Sequence, residues 1–111
     1  MPWPIWIEDL AENIIYLNDK YESTFGVQLE SVLGKSNISI FNKELIKVYN
    51  EKIKSKMSKE NVCVVKETID GNNMMFYIIP IKDEENYIQA FGMIIIDIGK
   101  IDENEINIKK Q

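Results

Sequence analysis

The chain has 111 residues, enough for one domain around a single core, and its 45% hydrophobic and 28% charged residues are ordinary for a globular protein. Its formal net charge of −5 argues against nucleic-acid binding, and no apolar run approaches the roughly 20 residues that a membrane-spanning helix requires. The absence of histidine and arginine excludes Ser-His and Cys-His catalytic pairs, histidine-ligated metals and bidentate guanidinium clamps.

The N-terminal segment predicts a β-hairpin. Trp3–Ile7 is a short apolar stretch with prolines at its start, and Ile14–Asn18 is a second stretch of strand-forming residues. The polar residues between them, Glu8–Asn13, predict a turn. The acidic side chains of Glu8 and Asp9 do not have the spacing of a calcium loop. They are therefore expected to be solvated turn residues and not metal ligands.

A short helix is predicted after the hairpin. Asp19 is a good N-cap residue, and Glu22 follows three positions later, as in a capping box. The helix is expected to cover Lys20–Phe25 and to end at Gly26, which can adopt the left-handed conformation of a helix terminus.

The middle of the chain predicts one longer helix. Val27–Phe41 is interrupted by turns around Gly34 and predicts only short helical pieces. Asn42 is a candidate N-cap for a helix over Lys43–Lys59, whose apolar positions are Leu45, Ile46, Tyr49, Ile53 and Met57. The lysines of this helix form either a basic patch for an acidic partner or a solvated helix face, and the solvated face is the more ordinary arrangement.

The C-terminal half predicts three antiparallel strands. Val62–Ile69 is the first, and Asp70–Asn73 is a strong hairpin turn because Asp-Gly favours two-residue loops. Met74–Lys82 and Tyr87–Ile98 follow, joined by the acidic loop Asp83–Asn86.

The last strand is too apolar for a sheet with one solvated face. Alternation places two sets of side chains on opposite faces, namely Tyr87, Gln89, Phe91, Met93, Ile95 and Asp97 on one and Ile88, Ala90, Gly92, Ile94, Ile96 and Ile98 on the other. The first set is expected to face the helices. The second set needs a partner, unless Trp3 and Trp6 cover it within the chain.

The element order β-β-α-α-α-β-β-β predicts an α+β fold, a five-stranded antiparallel sheet with helices on one face. We expect a domain at 1–98 and a tail or signalling linker at 99–111. The start of the chain lacks the features of a signal peptide, so we expect a cytoplasmic protein or a segment of a larger one. Cys63 cannot form an internal disulfide; it is either a redox sensor or a small buried hydrophobe, the more ordinary case.

With this element order, the chain resembles PAS domains from about Trp3 to Asp97. The resemblance rests on short matches in the same order and spacing, at Trp6–Asp9 (WIED), Ile14–Asn18 (IIYLN), Phe25-Gly26, Leu33-Gly34-Lys35, Phe41, Asp70-Gly71, Pro80-Ile81, Asp83 and Asp97-Ile98. PAS domains often end in Asp-Ile-Thr, which passes a signal to a coiled-coil linker. Here glycine occupies the threonine position, at Gly99.

The resemblance implies a non-catalytic sensory and interaction module of a larger bacterial signalling protein, such as a histidine kinase, a cyclic-dinucleotide enzyme or a transcription regulator. It also implies an effector domain C-terminal to this segment and a homodimer, which the apolar sheet face favours. Asp97 and Ile98 are the expected exit for the signal. Nucleic-acid binding and membrane contact by this segment are not expected.

Two known PAS cofactors can be weighed from the sequence. Haem-binding members use a histidine on the long helix, so a histidine-ligated haem is excluded and a methionine or cysteine ligand is disfavoured. Flavin photoreceptor members carry a reactive cysteine soon after the Leu-Gly step and a glutamine on the last strand. Gly34–Phe41 contains no cysteine, and Ile95 stands two residues before Asp97, so a flavin adduct is disfavoured and the cofactor is unknown.

A small-molecule pocket would be mainly apolar. The candidates are Tyr21, Phe25, Phe41, Ile46, Tyr49, Met74, Phe76, Ile78, Phe91, Met93 and Ile95. These side chains can either line a cavity for a small apolar ligand or fill the core completely, and the filled core is the more ordinary outcome. A ligand-free dimerisation module is therefore the alternative to a ligand sensor.

Overall fold

The structure is a computed structural model, and it describes residues 3–36 and 43–99. Within these ranges the chain forms five strands and three short α-helices, and the third helix continues into a π-helical segment (the π segment) and a 3-10 segment. The elements are β1 (Ile5–Asp9), β2 (Ile14–Leu17), α1 (Asp19–Phe25), α2 (Leu29–Val32), α3 (Lys43–Val48), the π segment (Tyr49–Ile53), the 3-10 segment (Lys54–Ser58), β3 (Cys63–Ile69), β4 (Asn72–Lys82) and β5 (Ile88–Gly99).

The strands form one antiparallel sheet in the order β2-β1-β5-β4-β3. The apolar strand β5 lies in the centre, hydrogen-bonded to β1 on one side and β4 on the other. Helices pack on one face, where Trp6, Phe76, Phe91 and Met93 are buried. The predicted five-stranded antiparallel α+β fold is therefore confirmed.

The opening hairpin differs from its prediction mainly at strand β1. β1 begins at Ile5 and continues to Asp9, because it pairs with β5 from Ile5–Ile94 to Asp9–Ala90. Glu8 is consequently a strand residue whose side chain is 0% exposed, so the expectation of a solvated Glu8 was wrong. Asp9 does shape the turn, since its Oδ1 accepts hydrogen bonds from the backbone N–H groups of Ala11 and Asn13.

The first helix has a different cap from the one predicted. Asn18, and not Asp19, is the N-cap, because its Oδ1 accepts a 2.9 Å hydrogen bond from the backbone N–H of Tyr21. Glu22 does not complete a capping box there; its Oε2 accepts from the N–H of Leu29 at 3.0 Å. The predicted stop at Gly26 is confirmed, with a left-handed φ of 67°.

The predicted long helix is helical over Lys43–Ser58, but it changes its winding twice. Leu45, Val48, Tyr49 and Ile53 form its buried side, whereas Ile46 and Met57 are only half-buried. All five predicted apolar positions are therefore buried or packed against the core, and Val48 is a buried position that was not predicted. The predicted N-cap Asn42 lies outside the described residues.

The C-terminal strands follow the prediction except at their ends. Asp70-Gly71 forms the expected turn, but Asn72 and Asn73 already belong to β4. Asn72 pairs with Ile69, which leaves a two-residue loop. β5 includes Gly99, one residue past the boundary proposed between domain and tail. The division into 1–98 and 99–111 stays a prediction, because residues 100–111 lie outside the described residues.

The face of the sheet opposite the helices (the outer face) is apolar at its centre. Ile94 on β5 pairs with Ile5 on β1 and with Tyr77 on β4, and all three are half-buried. Trp6 does not cover this face, contrary to the alternative considered above. It is fully buried on the helix side, 5.4 Å from the ring of Tyr21.

Candidate functional site

A cavity of about 450 Å³ lies at the end of the sheet where β5 finishes and the β3–β4 turn begins. Four parts of the chain line it, namely the entry to β1, helix α1, helix α3 and the three C-terminal strands, and it is open to solvent on one side. Its lining residues are Trp3, Pro4, Lys20, Thr24, Phe25, Leu45, Ile69, Asp70, Asn72, Met74, Ile95 and Asp97. Its size and mixed lining are typical of a small-molecule site.

The apolar wall of the cavity follows from the sheet register. Met74 pairs with Asp97 across β4 and β5, and Ile95 lies two residues before Asp97 on the same face. Phe25 closes the helix side, with its ring centroid 4.5 Å from that of Tyr21. The three predicted pocket residues Phe25, Met74 and Ile95 are therefore brought together.

The other predicted pocket residues do not line this cavity. Most of them are buried in the packed core on the helix side of the sheet, namely Tyr21, Tyr49, Phe76, Ile78, Phe91 and Met93. Ile46 is half-buried against that core, and Phe41 lies outside the described residues. The interior is thus filled over most of the sheet and open at one end.

Sequence reasoning named none of the polar groups in the lining as pocket residues. They belong to Lys20, Asp70, Asp97, Thr24 and Asn72. Asp97, predicted as the signal exit, also accepts a 2.7 Å hydrogen bond from the backbone N–H of Gly99. Ile98 lies outside the cavity and is 41% exposed. The alternation that placed Asp97 beside Ile95 was the available signal, since consecutive inward positions share one wall.

A buried polar network lies on the helix face of β1. Both oxygens of the Glu8 carboxyl are hydrogen-bonded: Trp6 Nε1 donates to Oε2 and the Tyr49 hydroxyl to Oε1, each at 2.7 Å. The Tyr49 hydroxyl also lies 3.4 Å from Oε1 of Glu12, which Lys54 contacts at 3.3 Å. A carboxyl that is 0% exposed is tolerated here because donors from two elements satisfy it.

Tyr21 joins this network to the cavity. Its ring contacts Trp6 on one side and Phe25 on the other. Its hydroxyl is buried and has no hydrogen-bond partner among the described residues. Burial, and secondarily the nearby Glu8 carboxyl, raises the pKa of Tyr21 well above its usual value.

Two other residues considered from the sequence, Cys63 and Asp83, do not line the cavity. Cys63 is half-buried at the start of β3, away from the cavity lining. Oδ1 of Asp83 accepts hydrogen bonds from the N–H groups of Glu85 and Tyr87, so this carboxylate shapes the β4–β5 turn. Among the described residues, no group of acidic or cysteine side chains could hold a metal ion, and no helix is long and apolar enough to cross a membrane.

Comparison with solved structures places this fold among known ones. A sensory box sensor histidine kinase from Vibrio cholerae superposes with a TM-score of 0.74 at 19% identity, over 90% of this chain and 83% of that one. The PAS domain of BvgS from Bordetella pertussis gives 0.64 at 21% identity, over 99% and 86%. The PAS domain of histidine kinase ThkA gives 0.68 at 19% identity, over 87% and 100%.

No protein-family model and no curated protein matches the sequence. The similarity is therefore carried by the architecture, at identities where only the fold is informative. The three superpositions cover 87–99% of this chain at TM-scores of 0.64–0.74. The resemblance drawn from the sequence is confirmed at this level: the chain has the PAS fold.

Proposed function

We propose that the chain is a sensory PAS domain of a larger bacterial signalling protein, with no catalysis of its own, and that its cavity binds a small apolar ligand. The observation that carries this proposal is the cavity of about 450 Å³, whose wall includes both helix α1 and the last residues of β5. Two of the similar structures belong by name to histidine kinases, which supports a signalling context.

The proposed mechanism is a shift between two states of the domain. A ligand that contacts Phe25 and Ile95 bridges helix α1 and strand β5. It therefore favours the state of the domain in which these two elements close around the ligand. Asp97 lines the cavity and directly precedes Ile98, so the expected signal exit lies within reach of the ligand. The effector domain would follow this segment and respond to that shift.

The proposed domain works in the cytoplasm and without a haem ligated by histidine, since the chain has none. The segment where flavin photoreceptors carry their cysteine includes residues 37–41, which lie outside the described residues. Cys63 lies on β3. The ligand that this cavity suits best is a small organic molecule.

Titration with indole tests the proposal, because indole is an apolar probe small enough for the cavity. Amide NMR spectra should show saturable shifts around Phe25 and Ile95. Thr24→Phe, which places a ring in the cavity wall, should abolish them. Ser23→Phe is the matched control, since Ser23 is exposed on the same helix and does not line the cavity. Unperturbed spectra at millimolar indole would contradict a ligand-binding cavity.

A ligand-free dimerisation module is the second candidate. The half-buried row Ile5, Ile94 and Tyr77 on the outer face favours it, because a second copy would cover apolar surface there. Light scattering across a dilution series measures the oligomeric state. Ile94→Lys is expected to give a monomer. Glu85→Lys, in an exposed turn, is the control and should leave the mass unchanged. A wild-type monomer at high concentration would count against it.

A further inference from the structure

We propose, resting on the ligand-binding function above, that the cavity prefers an apolar molecule with a cationic amine head, and that Asp97 binds the amine. The charged groups in the lining carry this inference. They are the carboxylates of Asp70 and Asp97 and the ammonium group of Lys20, so the lining has a net charge of −1 in a chain whose net charge is −5.

Asp97 is the better placed of the two carboxylates. It stands on β5 on the same face as Ile95, which supplies apolar wall, and it is opposite Met74 on β4. A ligand packed on Ile95 and Met74 therefore has Asp97 within reach. Oδ1 of Asp97 accepts from the N–H of Gly99, and no described residue donates to Oδ2, which leaves that oxygen for a ligand donor.

Asp70 adds a second negative charge at the same cavity. It is the first residue of the β3–β4 turn, and its backbone N–H donates to Oε2 of Glu44 at 3.2 Å. Its carboxylate forms no ion pair with another described residue. Two carboxylates favour a cation electrostatically and disfavour an anion.

Lys20 does not reverse this preference. Lys20, Asp70 and Asp97 are all exposed, but only Lys20 carries its charge on a flexible four-carbon stem, which can keep the ammonium group in water. The aspartates have short side chains on a strand and a tight turn, so their charges stay near the site. The cationic head is therefore favoured over a carboxylate head on the same apolar body.

The same geometry connects the amine to the signal exit. An ammonium group at Oδ2 of Asp97 shares the carboxylate whose Oδ1 accepts from the Gly99 N–H, so its positive charge weakens that hydrogen bond. Binding of an amine should consequently change the environment of Gly99, whereas a neutral ligand with the same body should leave it nearly unchanged.

Three probes with one indole body and a two-carbon arm test the inference: tryptamine, which is cationic, tryptophol, which is neutral, and indole-3-propionate, which is anionic. Calorimetry on the full chain should give tryptamine roughly three to five times the affinity of tryptophol, the usual size of a partly exposed ion pair, and indole-3-propionate the weakest binding. The Gly99 amide resonance should shift with tryptamine only.

Asp97→Asn should lower the tryptamine affinity to that of tryptophol and leave tryptophol unchanged. Glu84→Gln, the same type of charge removal at an exposed turn residue outside the lining, should change neither. Equal affinities for the three probes would overturn the amine preference while the cavity still binds ligands. Retained tryptamine preference in Asp97→Asn would overturn the role of Asp97. Failure of all three probes would overturn the ligand-binding function together with this inference.

Discussion

The hydroxyl of Tyr49 donates a 2.7 Å hydrogen bond to the fully buried carboxyl of Glu8, which joins the first residue of the π segment to strand β1. Residues separated by 41 positions in sequence thus meet inside the core. Because a buried carboxyl depends on its donors, this contact is expected to contribute more to stability than an average hydrogen bond.

Tyr49→Phe tests that contact with little change in volume. We expect the free energy of unfolding to fall by about 1–3 kcal/mol, because Oε1 of Glu8 loses this donor within the core. Urea denaturation followed by circular dichroism measures the loss. Tyr16→Phe is the control, since Tyr16 is 45% exposed, and it should change stability by less than about 0.5 kcal/mol. Equal stabilities for the two variants would contradict the role assigned to the hydroxyl.

Tyr21→Phe, in contrast, should not destabilise the protein near neutral pH. The Tyr21 hydroxyl is buried without a partner among the described residues, so removing it relieves an unfavourable desolvation. We expect stability to be unchanged or to rise by about 1 kcal/mol. A loss comparable to that of Tyr49→Phe would mean that the hydroxyl has a hydrogen-bond partner in solution.

The pH dependence gives a second test of Tyr21. Burial, and then Glu8, raises the pKa of Tyr21 above the value of about 10 that an unfolded tyrosine has. The folded state therefore keeps this proton at a pH where the unfolded chain releases it, and stability should decline as the pH rises above about 10. Urea midpoints from pH 8 to pH 11 should fall less steeply in Tyr21→Phe than in the wild type. Parallel profiles would contradict the raised pKa.

Local patterns were sufficient for the elements but not for the contacts between them. The Asp-Gly turn and the Gly26 stop were predictable because each depends on the φ angles of one or two residues. The side chain of Glu8 was assigned to solvent because Glu8 was placed in the predicted turn, and the pairing of β1 with β5 shows that it is a strand residue opposite the buried Phe91. The partner that makes this burial tolerable, Tyr49, is far away in sequence.

The cavity shows the same limit. Alternation identified Met74 and Ile95 as inward-facing, but it could not distinguish the packed end of the sheet from the open one, because that depends on how the helices cover each strand. Lys20 and Asp70 reach the cavity through the placement of α1 and of the β3–β4 turn. Because Lys20 and Asp70 belong to different segments, no pattern within one segment could predict that both line the cavity.

Gly71→Ala is expected to destabilise the β3–β4 turn. Asp70 and Gly71 have φ angles of 51° and 80°, the pair of left-handed residues that a type I′ turn requires. Alanine at Gly71 should cost about 1–2 kcal/mol. Gly92→Ala is the matched control, because its new Cβ would lie 3.7 Å from Ile81 Cδ1, an ordinary contact, and should raise stability by up to about 1 kcal/mol. The two variants should therefore shift the urea midpoint in opposite directions; a shift in the same direction would contradict this account.

Asn18→Ala tests how the wall of the cavity is held. The Asn18 side chain accepts hydrogen bonds from the N–H groups of Ile5 and Tyr21, and it donates one to the carbonyl oxygen of Trp3, all within 2.9–3.0 Å. Loss of the cap and of the two further bonds should cost about 2–3 kcal/mol. Trp3 lines the cavity, so the affinity for indole should also decrease.

Asn18→Asp separates these two effects. The carboxylate still accepts from Ile5 and Tyr21, so the cap is retained, but it has no N–H to donate to Trp3. We expect a smaller loss of stability, about 1 kcal/mol, together with a decrease in indole affinity similar to that of Asn18→Ala. Unchanged indole affinity in Asn18→Asp would show that the bond to Trp3 does not position the cavity wall, because the cap in that variant is intact.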